Sequence, residues 1–474
     1  MQPSTPLASA LQNAHALRAK KGMPFTDLST PIPSSAPDLF SNDYLSITTN
    51  SQLRHNFLEQ VNGTRNLFGS RGSRLVAGNT PEHINLENYL QHFFNAPAAL
   101  LFNSGYDANV AFFASVPQEG DAILCDELIH ASCRDGMATS RARRAIYPFS
   151  HNSVAAFEAT LEQVISKHQQ ISAGKATLFV AVESLYSMDG DFCPLKEFLS
   201  VLEQRVPPGC AHLVVDEAHS TGIYGSNGRG LVAELGLEDR VQTVLHTFGK
   251  ARGITGAVLL TSPTVRSYLI NYSRPFIFST SLPYINLIAI DCSFSAIGSP
   301  VGDQLRERLH KLSTQFSDLL LSALEPVPKS ILRLPESHLN FGALPVPTPI
   351  FPILTSRPLQ LATFLQAKGY AAQPIPYPAV PRGQERIRVV VHAENTEDEL
   401  REFIEVLLQW AGEQPPPKRE EDEYARRTAK EAHSAHVHEM LIARYGAQAY
   451  YTNFLDPRFI IKIIRRTLLG LFRR

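Results

Sequence analysis

Leu213-Val-Val-Asp216-Glu217-Ala218-His219 is an apolar run that stops in three ionisable side chains. Similar runs recur nearby. Ala122-Ile-Leu-Cys closes in Cys125-Asp126-Glu127, Leu178-Phe-Val-Ala-Val in Glu183-Ser184, and Thr243-Val-Leu in His246-Thr247-Phe248-Gly249-Lys250, with Ala257-Val-Leu-Leu following. Short apolar runs alternating with helix-length amphipathic stretches describe parallel strands buried on both faces. The fold expected between about 100 and 260 is therefore α/β, with a large doubly wound, mostly parallel sheet. Ligands of such sheets lie beyond the carboxyl ends of the strands, so the polar residues that close each run are the candidates for chemistry.

Near Ser295 the rhythm changes to helix, strand, helix, strand, helix, with strands at Pro349-Ile-Phe-Pro-Ile-Leu and Arg386-Ile-Arg-Val-Val-Val and a helix from Leu359 to Gly369. Thr396 and Glu399 have the spacing of a capping box for the last helix. The organisation expected is a lead-in segment at 1–50, a large domain at 51–294, a smaller α+β domain at 295–411, and a linker with a tail at 412–474. Gly412-Glu-Gln-Pro-Pro-Pro opens the linker, and the tail ends in Phe459-Ile-Ile-Lys-Ile-Ile-Arg-Arg-Thr-Leu-Leu-Gly-Leu-Phe-Arg-Arg, which carries cations and no acid. A basic amphipathic helix of this kind can lie on a membrane surface, dock on a partner, or pack on its own domain. At the other end Leu7, Leu11, Ala14 and Leu17 recur at helical spacing beside Arg18, Lys20 and Lys21. A short amphipathic helix accounts for them; a transit segment is the alternative.

The chain has 474 residues, 44% of them apolar and 19% charged, with Lys+Arg 44 against Asp+Glu 45. That balance gives no global basic field for a nucleic acid, so no nucleic-acid partner is expected. Five scattered cysteines without CxxC spacing do not describe a disulfide framework and fit a reducing, cytoplasmic setting; a mitochondrial or peroxisomal address stays open.

Lys250 sits in a glycine-rich turn, Thr247-Phe-Gly-Lys250-Ala-Arg-Gly253-Ile-Thr-Gly256. A lysine desolvated there can lose its proton and bind a carbonyl as a Schiff base, although strand-end lysines are usually solvated charges. Asp216 strengthens the first reading. Pyridoxal phosphate works as an electron sink while its ring nitrogen stays protonated, and a carboxylate held against that nitrogen keeps it so. His219, three residues on, can hydrogen-bond the phenolic oxygen. An Asp-x-x-His pair also suits a metal, but no third ligand follows at useful spacing. Asn103-Ser104-Gly105-Tyr106 is a strand-to-helix turn whose free N–H groups suit a phosphate. His130 stands where an imidazole can lie over a cofactor ring. The runs Gly69-Ser-Arg-Gly-Ser-Arg and Gly225-Ser-Asn-Gly-Arg-Gly lack dinucleotide spacing, and His433, His436 and His438 read as a solvated face rather than a metal site.

Together these segments resemble the α-oxoamine synthase family of fold-type I pyridoxal-phosphate enzymes, which condense an amino acid with an acyl-CoA and release CO2. The resemblance runs from about residue 5 to 411. It is carried by Ser41-Asn-Asp-Tyr-Leu45, Gly69-Ser-Arg-Gly-Ser, Asn103-Ser-Gly-Tyr, His130-Ala-Ser, Glu183-Ser-Leu-Tyr-Ser187-Met-Asp-Gly-Asp191, Asp216-Glu-Ala-His219-Ser-Thr-Gly, Thr247-Phe-Gly-Lys250, Ser279-Thr-Ser and Arg386-Ile-Arg388. Within the family the chain is most similar to fungal members that join pimeloyl-CoA, or pimeloyl carrier protein, to L-alanine in biotin synthesis.

The resemblance implies roles residue by residue. Lys250 holds the cofactor and then acts as base and acid at Cα; Asp216 holds the pyridinium; His219 and Ser187 contact the phenolic oxygen; His130 stacks on the ring. Ser104, Gly105, Tyr106 and Thr247 bind the phosphate, with Ser279 and Thr280 reaching in from a second subunit of a homodimer. Asn42 and Arg388 grip the amino acid carboxylate, and Arg18 is the candidate for the distal acyl carboxylate. Two positions depart from the family pattern. Ala379 stands where a threonine is usual near the substrate, and Arg252 where a bulky apolar residue is common. Two other readings follow: a long-chain acyl thioester as substrate, with the tail drawing the enzyme to a membrane, or a catalytically silent subunit paired with an active partner. The retained Lys250, Asp216 and His219 argue against the second.

Overall fold

The computed structural model describes residues 5–20, 36–339, 348–377 and 379–415. Seven of the apolar runs form one sheet: β1 (Ala98–Phe102), β2 (Ala122–Asp126), β3 (Ile146–Phe149), β4 (Leu178–Glu183), β5 (Ala211–Asp216), β6 (Thr243–Thr247) and β7 (Ala257–Thr261). Their order is β1-β7-β6-β5-β4-β2-β3. From β3 through β6 every neighbouring pair is parallel, whereas β7 runs antiparallel to both β6 and β1. The link 248–256 is too short for a crossover helix, so the chain must reverse there. Helices cover both faces, and β1, β2, β4 and β7 are buried along their whole length.

Parallel register brings the strand ends level. Glu183 at the end of β4 pairs with Asp216 at the end of β5, and Asp126 and Thr247 close β2 and β6 on the same side.

The second sheet is antiparallel, in the order β8 (Ile350–Leu354), β10 (Arg386–Val390), β9 (Pro374–Ile375). The two-residue β9 is too short to show a pattern in sequence. Helices Pro300–Leu324, Pro358–Ala367 and Glu397–Gly412 pack around this sheet, and the capping box is formed: Thr396 Oγ1 accepts from the Glu399 N–H at 3.2 Å while Glu399 Oε2 accepts from the Thr396 N–H at 2.8 Å.

Residues 38–50, expected within a separate lead-in segment, belong instead to this second core. Leu39, Tyr44, Leu45 and Ile47 are buried with Val389, Val390 and Phe403. Two backbone bonds fasten them, from Val390 N–H to the Leu39 carbonyl at 2.9 Å and from Ala393 N–H to the Tyr44 carbonyl at 2.8 Å. Apolar side chains at Leu39, Leu45 and Ile47 draw the segment inward. Helix Pro6–Lys20, by contrast, buries no side chain. The expected tail, with His433, His436 and His438, lies outside the described residues.

Candidate active site

Lys250 stands in the reversal between β6 and β7, at the mouth of the strands. Its carbonyl accepts from the Gly253 N–H at 2.8 Å, and Phe248 bonds both Ile254 and Gly256, each at 2.9 Å, so the turn is tied at its base. Gly253 has φ +67°, and a Cβ there would lie 2.9 Å from Ile47 Cγ2; only glycine closes this turn. Burial pulls the Lys250 pKa below its usual value against the opposing pull of Asp216 and Glu183, and Arg388 adds to the depression. An amine that sheds its proton is a nucleophile.

Asp216 is 5% exposed and fully engaged. Its Oδ2 accepts from Asn109 Nδ2 at 2.7 Å and its Oδ1 from the Ala218 N–H at 2.9 Å. Asn109 also donates to Ser132 Oγ at 3.0 Å, and Ser132 Oγ lies 2.7 Å from His130 Nδ1. The Ser132 backbone N–H donates to that same Nδ1 at 3.2 Å, so the neutral His130 ring carries its proton on Nε2. Burial favours that neutral ring by lowering the His130 pKa, with Asp216 pulling the other way. Asn109 was not picked out from sequence, yet it lies one helical turn beyond Gly105 on the inner face of helix Gly105–Ser115, a spacing that could have found it. Glu183 also lies at this strand end. It is buried beside Asp216, accepts from the His130 backbone N–H, and is pushed well above the usual carboxylate range by burial and by the charge of Asp216.

At the start of helix Gly105–Ser115, Ser104 is the N-cap: its Oγ accepts from the Asp107 N–H at 3.0 Å. A Cβ on Gly105 would crowd Thr247 at 3.1 Å from Cβ and 3.2 Å from Oγ1, so the glycine lets the helix start approach the Thr247 hydroxyl. The first N–H groups of a helix have no partner within it, and together with that hydroxyl they form an anion cradle. The Tyr106 side chain turns outward instead, its hydroxyl bonded to Asp135. Ser279 and Thr280, expected to serve a second subunit, are exposed and sit beside the start of this chain's own helix: Asn103 Nδ2 donates to Ser279 Oγ at 3.1 Å and to the Thr280 carbonyl at 2.7 Å.

The opposite wall comes from the small domain. Arg388 on β10 is 6% exposed; its Nη2 donates to Asn42 Oδ1 and, at 3.3 Å, to Tyr44 Oη, while its Nε is buried without a hydrogen-bond partner. Tyr44 Oη lies 2.6 Å from His219 Nδ1. Burial holds the His219 imidazole well below its usual pKa, with Lys250 and Arg388 adding to the effect. Asn42, Arg388 and His219 therefore meet, and Tyr44 joins them.

Ser187 is half-buried in a loop held from both domains. Asp191 is bonded to His151 Nε2 at 3.0 Å, and His151 Nδ1 reaches Asp126 Oδ1 at 2.9 Å. From the small domain, Arg386 Nη1 donates to Asp189 Oδ1 at 2.6 Å and to the Met188 carbonyl at 2.8 Å, and His338 Nε2 lies 2.6 Å from the Asp189 carbonyl. Gly190, with φ +65°, lies against β8, where a Cβ would come within 2.4 Å of the Ile350 carbonyl oxygen.

Two expected substrate residues lie on the surface of the chain. Ala379 is exposed in a turn after β9, held there by its N–H to the Pro376 carbonyl at 3.0 Å, and its methyl has no hydrogen bond to offer. Arg18 is exposed on helix Pro6–Lys20, which buries none of its side chains. Arg252 takes the place of an apolar residue by stacking its guanidinium on Phe294, 3.9 Å from the ring centre, with Phe93 at 5.5 Å. Burial pushes its pKa down to about 9.

These residues fit pyridoxal phosphate. Lys250 offers an amine of depressed pKa for the aldehyde, Asp216 a fixed carboxylate for the ring nitrogen, and the cradle at Gly105 and Thr247 a seat for the phosphate, while the unpaired Arg388 Nε leaves one donor for a substrate anion.

Residues 38–407 match the family model of aminotransferase class I and II. The chain is 42% identical over 383 residues to the 8-amino-7-oxononanoate synthase of Emericella nidulans, covering 80% of this chain and 90% of that protein. It is 35% identical over 384 residues to the aminoacyl transferase sphA of Aspergillus fumigatus, covering 80% and 81%. The solved serine palmitoyltransferase of S. paucimobilis with bound PLP and myriocin has the same fold, with a TM-score of 0.70, 24% identity, and coverage of 86% of this chain and 98% of that one. Every strand of both sheets falls within the family match, and the chain therefore belongs to the aminotransferase class I and II family, among its pyridoxal-phosphate-dependent acyltransferases, the α-oxoamine synthases.

Proposed function

We propose that this synthase joins L-alanine to a pimeloyl thioester, releasing CO2 and the thiol, to give 8-amino-7-oxononanoate for biotin synthesis. The observation that carries the reading is the buried Arg388 guanidinium with its Nε unpaired, packed with Asn42, Tyr44 and His219. A guanidinium with an unpaired N–H suits the carboxylate of an amino acid. Pyridoxal phosphate, when bound, supplies the electron sink that makes the amino acid Cα acidic. The residues do the rest. Lys250 would take the proton from Cα and return it to the product; Asp216, fixed by Asn109 and Ala218, would hold a proton at the heterocyclic nitrogen; His130, anchored by Ser132, would cover one side of the site; Ser187 and His219 would serve the phenolic oxygen.

The identity to the Emericella nidulans synthase supports the acyl choice. An exposed apolar face supports a homodimer. Phe68, Val76 and Phe278 are 83%, 81% and 70% exposed, on segments joined by backbone bonds from Ile285 to Leu67 at 3.1 Å and from Ser281 to Gly72 at 3.0 Å, next to Ser279 and Thr280.

The test is a matrix of L-alanine, L-serine and glycine against pimeloyl-CoA and palmitoyl-CoA, with product identified by mass. Dominant formation of 8-amino-7-oxononanoate is expected. Dominant turnover of palmitoyl-CoA would overturn the acyl assignment.

A further inference from the structure

Tyr44 enters the site from the N-terminal segment and is completely buried. Its hydroxyl has three polar neighbours: His219 Nδ1 at 2.6 Å, Arg388 Nη2 at 3.3 Å and Asn42 Oδ1 at 3.4 Å. The direction of these bonds follows from what each group can give. A guanidinium only donates, so the Tyr44 oxygen accepts from Arg388. Tyr44 has one proton left to place. At 3.4 Å the Asn42 oxygen is a poor acceptor and already takes a hydrogen bond from Arg388, whereas the imidazole nitrogen lies at a short hydrogen-bond distance. His219 Nδ1 therefore accepts, and the hydrogen of the neutral ring sits on Nε2. Burial reinforces both states, pushing the Tyr44 phenol up to about 12 and the His219 imidazole well down. Lys250 and Arg388 both disfavour an imidazolium at His219, as does His130 when it is protonated.

We propose that Tyr44 is a positioning residue that fixes His219 in its Nε2–H tautomer, so that the ring presents a donor to the phenolic oxygen of the cofactor. This rests on the reading of His219 as the partner of that oxygen. In the other tautomer the Nε2 lone pair would face an oxygen that bears negative charge, and the contact would be repulsive. The same hydroxyl borders Arg388, so the carboxylate anchor and the phenolic-oxygen donor are set by one side chain.

The decisive measurement is nitrogen-15 NMR of the histidine rings in the full-length protein without cofactor, with His219 assigned by comparison with His219→Asn. In the unsubstituted protein, His219 is expected to show a protonated Nε2 and an unprotonated Nδ1; a protonated Nδ1 overturns the proposal, whatever the substrate proves to be. Tyr44→Phe keeps the ring and removes the donor. The His219 signals should then average between tautomers, the pH midpoint of the bound cofactor's visible band should rise, and kcat should fall about tenfold with a smaller change in KM for alanine. Unchanged ring signals and an unchanged midpoint in this variant would also overturn it. Absence of any cofactor band in the unsubstituted protein would instead defeat the reading of the site, which separates the two failures.

Discussion

Arg386 Nη1 lies 2.6 Å from Asp189 Oδ1, and through this bond the small sheet grips the loop that carries Ser187. Arg386 is 1% exposed, so removing its partner strands a charge in the interior. Asp189→Asn should cost about 3–5 kcal/mol in urea unfolding and weaken cofactor binding, while the paired replacement Arg386→Met with Asp189→Met should cost less than either single change. A double replacement as costly as the sum of the singles would show that the pair does not act as a unit.

Lys250 is expected to be the attachment point of the cofactor. Borohydride reduction of the loaded protein should add the mass of the reduced cofactor to a peptide containing Lys250, and Lys250→Ala should show no such adduct. Activity in that variant should fall on the order of 10⁴-fold or more, with the unfolding midpoint little changed.

Asn109 is the side-chain donor to Asp216 Oδ2, at 2.7 Å. Asn109→Leu leaves that oxygen buried without it, and kcat/KM should fall by roughly 10 to 100-fold, the equivalent of about 1–3 kcal/mol. The chain from Asn109 through Ser132 to His130 predicts that Ser132→Ala lowers kcat in the same direction by a smaller factor.

His151 makes stability depend on alkaline pH. Burial opposes its charge, but hydrogen bonds to Asp126 and Asp191 outweigh burial and push its pKa up to about 11, from 6.5. The protonated ring is thus favoured by folding. Its contribution is complete below pH 6.5 and is lost progressively as the pH climbs toward about 11. Thermal midpoints of the protein and of His151→Gln should converge across that window; parallel curves would contradict the assignment.

Gly190→Ala should be poorly tolerated. The new Cβ would meet the Ile350 carbonyl oxygen at 2.4 Å, on a backbone with φ +65°. A loss of about 1–3 kcal/mol in urea unfolding is expected, whereas alanine at Gly63, where a Cβ meets nothing within 4 Å, should be nearly neutral.

The large sheet was readable because buried parallel strands are unbroken apolar runs, and their polar ends named Asp216, His219, Thr247 and Lys250 directly. The reversal of β7 was not, since direction depends on the link between strands rather than on the composition of either. Asn109, Tyr44 and Arg386 were passed over for a different reason. Each acts through a partner more than a hundred residues away, and for Asn109 only its one-turn spacing from Gly105 is a local signal. Arg18 and Ala379 were placed by resemblance alone, and the packing of their own segments leaves them on the surface.

The two backbone bonds from Leu39 and Tyr44 to residues 390 and 393 set an order of assembly. During synthesis the first of these partners is made some 350 residues before the second, a separation read from the positions themselves. Asn42 and Tyr44 must therefore wait for Arg388 until β10 leaves the ribosome, although the sheet holding Lys250 and Asp216 is complete long before. A nascent or truncated chain ending before β10 would own the proposed cofactor lysine and carboxylate but not Arg388, the proposed anchor for the amino acid. On the proposed function, the docking of β10 is thus also the step that confers substrate recognition.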